Sequence, residues 1–166
     1  MTQQTHVESA RPTGASLRVV AVAGLPFLWL GMVAAISLLE APLKFQADGV
    51  SRAEALAIGQ LVFPALNAAE ALLAIGLLAA LWPSRHLVTR TWRLASAIVA
   101  LLIVQVAVVR PILHASTVEV LAGTSAGGAG WHWVYIALEG VKIVALLVLG
   151  YRCVLAATDI LRRPRP

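Results

Sequence analysis

Trp131-His132-Trp133-Val134-Tyr135-Ile136-Ala137-Leu138-Glu139-Gly140-Val141-Lys142 decides how this chain is read. The stretch opens the last apolar segment and carries a carboxylate and an amine into it. A full charge at the centre of a membrane helix costs roughly 2.5–3.5 kcal/mol on insertion scales. A merely hydrophobic anchor requires no such residues. His132, Tyr135, Glu139 and Lys142 follow steps of three, four and three, so they share one helix face. That face is expected to look into a bundle and to meet polar partners there.

The composition around this stretch supports a membrane setting. Of 166 residues, 60% are hydrophobic and only 13% are charged, and the mean hydropathy is +0.84, well above a soluble domain. The length suits one helical bundle. The net charge of +5 does not point to nucleic acid, because the basic residues flank apolar segments and form no continuous stripe. The single cysteine, Cys153, excludes an internal disulfide and a multi-cysteine metal site, and reads as an apolar packing residue.

Four spans are expected, over residues 17–45, 53–82, 91–115 and 131–158, with a polar tail over 1–16 and a basic tail over 159–166. Pro26 and Pro64 lie inside the first two, and Arg110-Pro111 interrupts the third. Ser51-Arg52-Ala53-Glu54 matches a capping box at the start of the second. Thr124 to Gly130 is glycine-rich, lacks the Lys-Ser or Lys-Thr of a phosphate loop, and reads as a linker. Arg11, Arg18, Arg85, Arg90, Arg93, Arg152, Arg162, Arg163 and Arg165 fall on one side of such a chain, against Lys44 and Arg52 on the other. The positive-inside rule then puts both termini in the cytoplasm.

The two hairpins resemble each other. Gln60 to Glu70 can be laid on His132 to Lys142 without a gap, matching Phe63 with Tyr135, Asn67 with Glu139 and Glu70 with Lys142. Glu40 likewise lies over Arg110, with the following proline displaced by one place. Both hairpins run the same way, so the repeat is parallel and its axis follows the membrane normal. Electrostatic pairing between the halves, Glu40 with Arg110 and Glu70 with Lys142, is the expectation. With 1.5 Å per residue, Glu139 lies ~12 Å and Lys142 ~16 Å below Trp131. The other half of the bundle is nearly pure Leu, Val, Ala and Ile, with Gln105 the main exception.

Five charges at such depths would cost on the order of 12–17 kcal/mol if each stood alone. They must pair, shift their pKa or face water. Glu40, Glu70 and Glu139 against Arg110 and Lys142 leave one surplus negative charge. A protonated Glu, a histidinium or a bound cation could balance it. A metal site drawn from Glu40, Glu70, His114, His132 and Glu139 is the weaker reading. The Glu-x-x-His spacing of di-iron bundles is absent, and Arg110 and Lys142 would repel a cation. Haem is weaker still, because His114 and His132 sit near the boundary. No nucleophile-elbow, zincin or dinucleotide motif occurs.

As a set, Leu39-Glu40-Ala41-Pro42-Leu43-Lys44-Phe45, then Leu66-Asn67 with Glu70, then Arg110-Pro111 with Leu113, then His132, Tyr135, Glu139 and Lys142 resembles a family of small bacterial four-helix membrane proteins of unknown function. The likeness runs from about Trp29 to Gly150. More distantly, Trp29-Leu30-Gly31 with Phe63-Pro64 is similar to membrane domains of copper-resistance proteins. With only Met1 and Met32 as methionines, copper handling is not implied. The resemblance implies four spans in a bacterial inner membrane and no particular activity.

These readings converge on an all-α, four-helix transmembrane bundle of two repeated helical hairpins. Its expected role is a small-ligand, proton or ion binding or transport module with a polar pocket in the outer half. Glu40, Asn67, Glu70, Arg110, His132, Tyr135, Glu139 and Lys142 are the candidate site. The alternative is an accessory subunit whose buried ion pairs only fix packing, and an enzyme ranks third. No cofactor is named by the sequence. The expected partners are the bilayer and, through small residues such as Gly76, Ala80, Ala137 and Gly140, a second copy of the chain.

Overall fold

The computed structural model describes residues 14–86, 88–122 and 129–162, and among them there are helices and no strands. Four helices are long and apolar enough to cross a membrane: Leu17–Leu43, Arg52–Ser84, Thr89–Glu119 and Gly130–Thr158. The fold is therefore an all-α, multi-pass bundle. In hydrocarbon a helix satisfies its own backbone, which leaves side chains to decide the packing. The glycine-rich linker read from the sequence falls mostly on residues outside the described ones. So do most of the first tail and the last residues of the basic tail. Where described, both ends are helical: the first helix already includes Gly14, and the last runs to Arg162.

Local sequence signals set the helix boundaries. The second span starts at the expected capping box, with Ser51 Oγ accepting from the Glu54 backbone N–H at 3.2 Å and Glu54 accepting from the Ser51 N–H at 2.7 Å. Pro26 and Pro64 lie inside helices that continue through them. The third span is longer than the sequence suggested: Arg110–Leu121 stays helical beyond Pro111. The reason lies in the turn before the proline. Gln105–Val109 is π-helical, and the Arg110 N–H reaches back five residues to the carbonyl of Gln105. Proline has no N–H and its ring crowds the carbonyl four residues earlier. A widened turn removes that conflict without ending the helix.

The first span does the same thing at the matching place. Ala35–Glu40 is π-helical, the Ala41 N–H bonds the Ile36 carbonyl, and Pro42 follows. The two widened turns therefore occupy positions that the hairpin alignment had already superimposed. Two other aligned pairs meet face to face: Glu70 with Lys142 at 2.6 Å, and Phe63 with Tyr135, whose rings stand edge-on at 5.7 Å. Contacts between matched positions suit two hairpins that run the same way.

The spans pack in ring order, each against its chain neighbours, with the fourth closing on the first. One half of the bundle is a dry core of Val22, Val33, Leu77, Ile98, Leu146 and Leu149 with their neighbours. The outward faces are apolar too: Leu61, Leu72, Ile75, Ile103, Val144 and Leu147 are all exposed. Apolar outsides of this extent match a lipid surround. Trp82 and Trp92 meet edge-on at 5.7 Å at one end, while Trp131 and Trp133 lie exposed at the other, as aromatic belts do.

Small residues let the first span approach its partners. Gly76 faces Leu25, so it serves packing within the bundle. At Gly150 an added β-carbon would lie 2.8 Å from the Phe27 ring. Gly150→Val should therefore destabilise the protein by about 1–3 kcal/mol, and Phe27→Ala in the same chain should recover most of the loss. Reversible unfolding in mixed micelles measures both.

Candidate functional site

The polar residues of all four spans join in one continuous cluster. At its centre Lys142 Nζ lies 2.6 Å from Glu70 Oε1 and 3.0 Å from Glu139 Oε2. Lys142 and Glu70 are 0% exposed, so neither charge has recourse to water. Trp29 of the first span donates its indole N–H to Glu70 Oε1 at 2.9 Å. Ser37, in the first widened turn, donates to Glu139 Oε1 at 2.8 Å. Gln105, in the second widened turn, donates to Glu139 Oε2 at 2.8 Å. The surroundings of Asn67 orient its amide, nitrogen toward the carboxylate and oxygen toward the guanidinium. So placed, it donates to Glu70 Oε2 at 3.1 Å and accepts from Arg110 at 3.2 Å.

Of the candidate residues, Asn67, Glu70, Arg110, Glu139 and Lys142 come together in this cluster. Tyr135 stands one turn beyond Glu139 against Phe63. His132 stands a further turn out and lines the space above. Glu40 does not join. Its carboxylate pairs with Lys44 at 3.3 Å, one helical turn away, and its side chain is 32% exposed. The expected Glu40–Arg110 pair is thereby corrected: helical spacing puts Lys44 within reach of Glu40, and Asn67 takes Arg110. With Glu40 outside the set, its carboxylates are Glu70 and Glu139 and its cations are Lys142 and Arg110, of which only Lys142 touches a carboxylate.

Gln105 is the second correction. Sequence spacing put it in the apolar half, yet it belongs to the cluster, at the start of the widened turn that precedes Pro111. Trp29 and Ser37 were not singled out as site residues. A buried indole N–H in an apolar span needs an acceptor, and a span hydroxyl seeks a partner across helices; those were the available signals.

Above the cluster lies a cavity of about 530 Å³, lined by the ends of the first and third spans and the beginnings of the second and fourth. Its walls are largely apolar, with Phe45, Phe63, Leu113 and Ile136 among them. The polar lining includes Ser37, Lys44, Gln60, Arg110, Tyr135 and Glu139. His114 and His132 also line it. Lys44 Nζ sits 5.0 Å from the centre of the Phe63 ring, a cation–π contact that holds the amine at the wall. Among the described residues no three histidine, cysteine or carboxylate side chains gather as metal ligands would. No family model matches the chain, and neither a curated protein nor a solved structure matches it.

Removing one member of a buried charge set strands the rest, typically at about 3–5 kcal/mol. Lys142→Met should lose stability on that scale, since both Glu70 and Glu139 then lack their cation. Adding Glu70→Gln to Lys142→Met should restore a substantial part, because Glu139 keeps Ser37 and Gln105. Unfolding of the single and double variants in the same detergent checks the sign.

Proposed function

We propose that this protein is a small-ligand binding module of a bacterial inner membrane, with both termini in the cytoplasm and its cavity open to the outside. The observation that carries the reading is the position of the cavity. It has the size of small-molecule sites, is mostly apolar with a few convergent polar groups, and lies between the ends of the four spans. Its deep side meets the charged cluster through Arg110, Glu139 and Ser37. Beyond the cluster the bundle is packed with Leu, Ile and Val. A site open at one end and dry at the other suits binding better than continuous passage.

The cluster itself supports the accessory reading in part. Its ion pairs and hydrogen bonds tie the four spans together, as a device that fixes helix register would. The two roles divide by depth: the cluster locks the bundle, and the cavity above it binds. The orientation rests on the basic residues at the opposite end from the cavity, including Arg18, whose guanidinium bonds the Ala80 carbonyl at 2.8 Å and the Ser84 hydroxyl, and Arg85, stacked on Trp82.

Cysteine labelling in intact cells tests this, with Cys153→Ala as background. Gly140→Cys and Thr117→Cys in the cavity wall, and Asp48→Cys in the outer connection, should react with a membrane-impermeant thiol reagent added outside. Leu149→Cys in the dry half should not. Reaction at Asp48→Cys with none at either wall position would contradict an open cavity. Reaction of all three only after permeabilisation would reverse the orientation.

A further inference from the structure

We infer that the cavity takes an anionic amphiphile, an apolar body ending in one carboxylate or phosphate-type acid, with the acid held at Arg110 and Tyr135. The inference rests on the binding reading above and names the ligand class. It comes from counting which polar groups of the lining are already engaged. Glu139 already has three partners, Ser37 on one oxygen and both Gln105 and Lys142 on the other. Lys44 is paired with Glu40. Arg110 has one acceptor, the Asn67 amide oxygen, and among the described residues it makes no ion pair. The remaining guanidinium N–H groups are donors without a charged partner.

Two further polar atoms are buried in the lining without a protein partner: the Tyr135 hydroxyl and the Gln60 amide nitrogen. Leaving such groups unmatched costs about 1–3 kcal/mol each, so a ligand that accepts hydrogen bonds gains from satisfying them. Besides His114 and His132, the free capacity of the wall is thus weighted to donors and one cation, while its carboxylate already has three partners. A cationic ligand would meet the Arg110 guanidinium and a carboxylate that already has three partners. An acid would find Arg110 on the cluster side, Tyr135 beside it, and Gln60 about one turn nearer the mouth. The apolar walls at Phe45, Phe63, Leu113 and Ile136 suit a hydrocarbon body. Arginine pairs with carboxylate and phosphate oxygens in a planar fork, which favours these two heads.

Protection of a cavity cysteine tests the class. Full-length Cys153→Ala/Gly140→Cys protein is reconstituted in phosphatidylcholine vesicles and treated with N-ethylmaleimide. An added β-carbon at Gly140 meets nothing within 4 Å among the described residues, so the cysteine reports on the cavity with little disturbance. Dodecyl phosphate and dodecanoate should slow the modification about tenfold, a binding effect of ordinary size. Dodecanol and dodecylamine should do little, and so should inorganic phosphate and acetate, which carry the head without the body. Tyr135→Phe in the same chain removes a hydroxyl that bonds nothing in the protein. Its fold should survive, while the acid concentration needed for protection rises about tenfold.

Equal protection by dodecanol or dodecylamine would overturn the acid class. Protection by inorganic phosphate or acetate alone would overturn the amphiphile and assign a free small anion. Undiminished protection in Tyr135→Phe would overturn the placement of the head. Equal slowing at Asp48→Cys would mark a surface effect and overturn the inference. An open, labelled Gly140→Cys that neither acid protects would also sink the ligand class while leaving the binding cavity in place. A Gly140→Cys that never reacts would fail the cavity reading itself.

Discussion

A lysine that no water reaches must share its charge with carboxylates, and this requirement organises the bundle. Lys142 lies between Glu70 and Glu139, and each acid is tied in turn to another span. Hydrocarbon offers no alternative partner to any of these groups. Sliding one helix by a turn would strand at least one charge. Apolar helices in lipid have little else to fix their register, because lipid tails satisfy Leu and Val as well as another helix does. The cluster thus supplies what a greasy interface cannot, a single allowed alignment of all four spans.

The likeness between the two hairpins is visible in this cluster. Glu70 and Lys142 occupy matched positions in the two hairpins and meet near the axis relating them. Phe63 and Tyr135 repeat the relation one level higher. The same alignment places a proline just after a widened turn in both the first and third spans. Those turns deliver Ser37 and Gln105 to opposite oxygens of Glu139. The matched sites carry complementary rather than identical residues: acid against amine at the cluster, Phe against Tyr at the cavity wall. The tyrosine brings a hydroxyl that its counterpart lacks, and the cavity becomes chemically one-sided.

Four apolar spans and their scarce intramembrane charges were legible from composition and spacing, because each charge is expensive and so conspicuous. The meeting of Glu70 and Lys142 followed from aligning the hairpins. The pairing of Glu40 with Lys44 was equally available as an i, i+4 step, but the repeat suggested Arg110 instead. Gln105 was misplaced for a different reason. Positions counted along a regular helix fail where a wider turn intervenes, and residue types alone do not announce it, since the helices through Pro26 and Pro64 stay regular. Trp29 and Ser37 carry no specific signal of their own until an acceptor stands beside them. The cavity depends on how four helix ends are spaced, which no linear pattern records.

The central claim is that Lys142 is shared by two carboxylates inside the bundle. The chain has only two lysines, Lys44 and Lys142, so ¹⁵N-lysine with ¹³C-glutamate labelling in bilayers yields a resolvable pair of Nζ signals, assigned with Lys44→Arg. Solid-state dipolar recoupling should connect the Lys142 nitrogen to two glutamate carboxyl carbons. The connection to one should vanish in Glu70→Gln and to the other in Glu139→Gln. A Lys142 nitrogen coupled to neither carboxyl, or free to exchange with bulk water, would contradict the account.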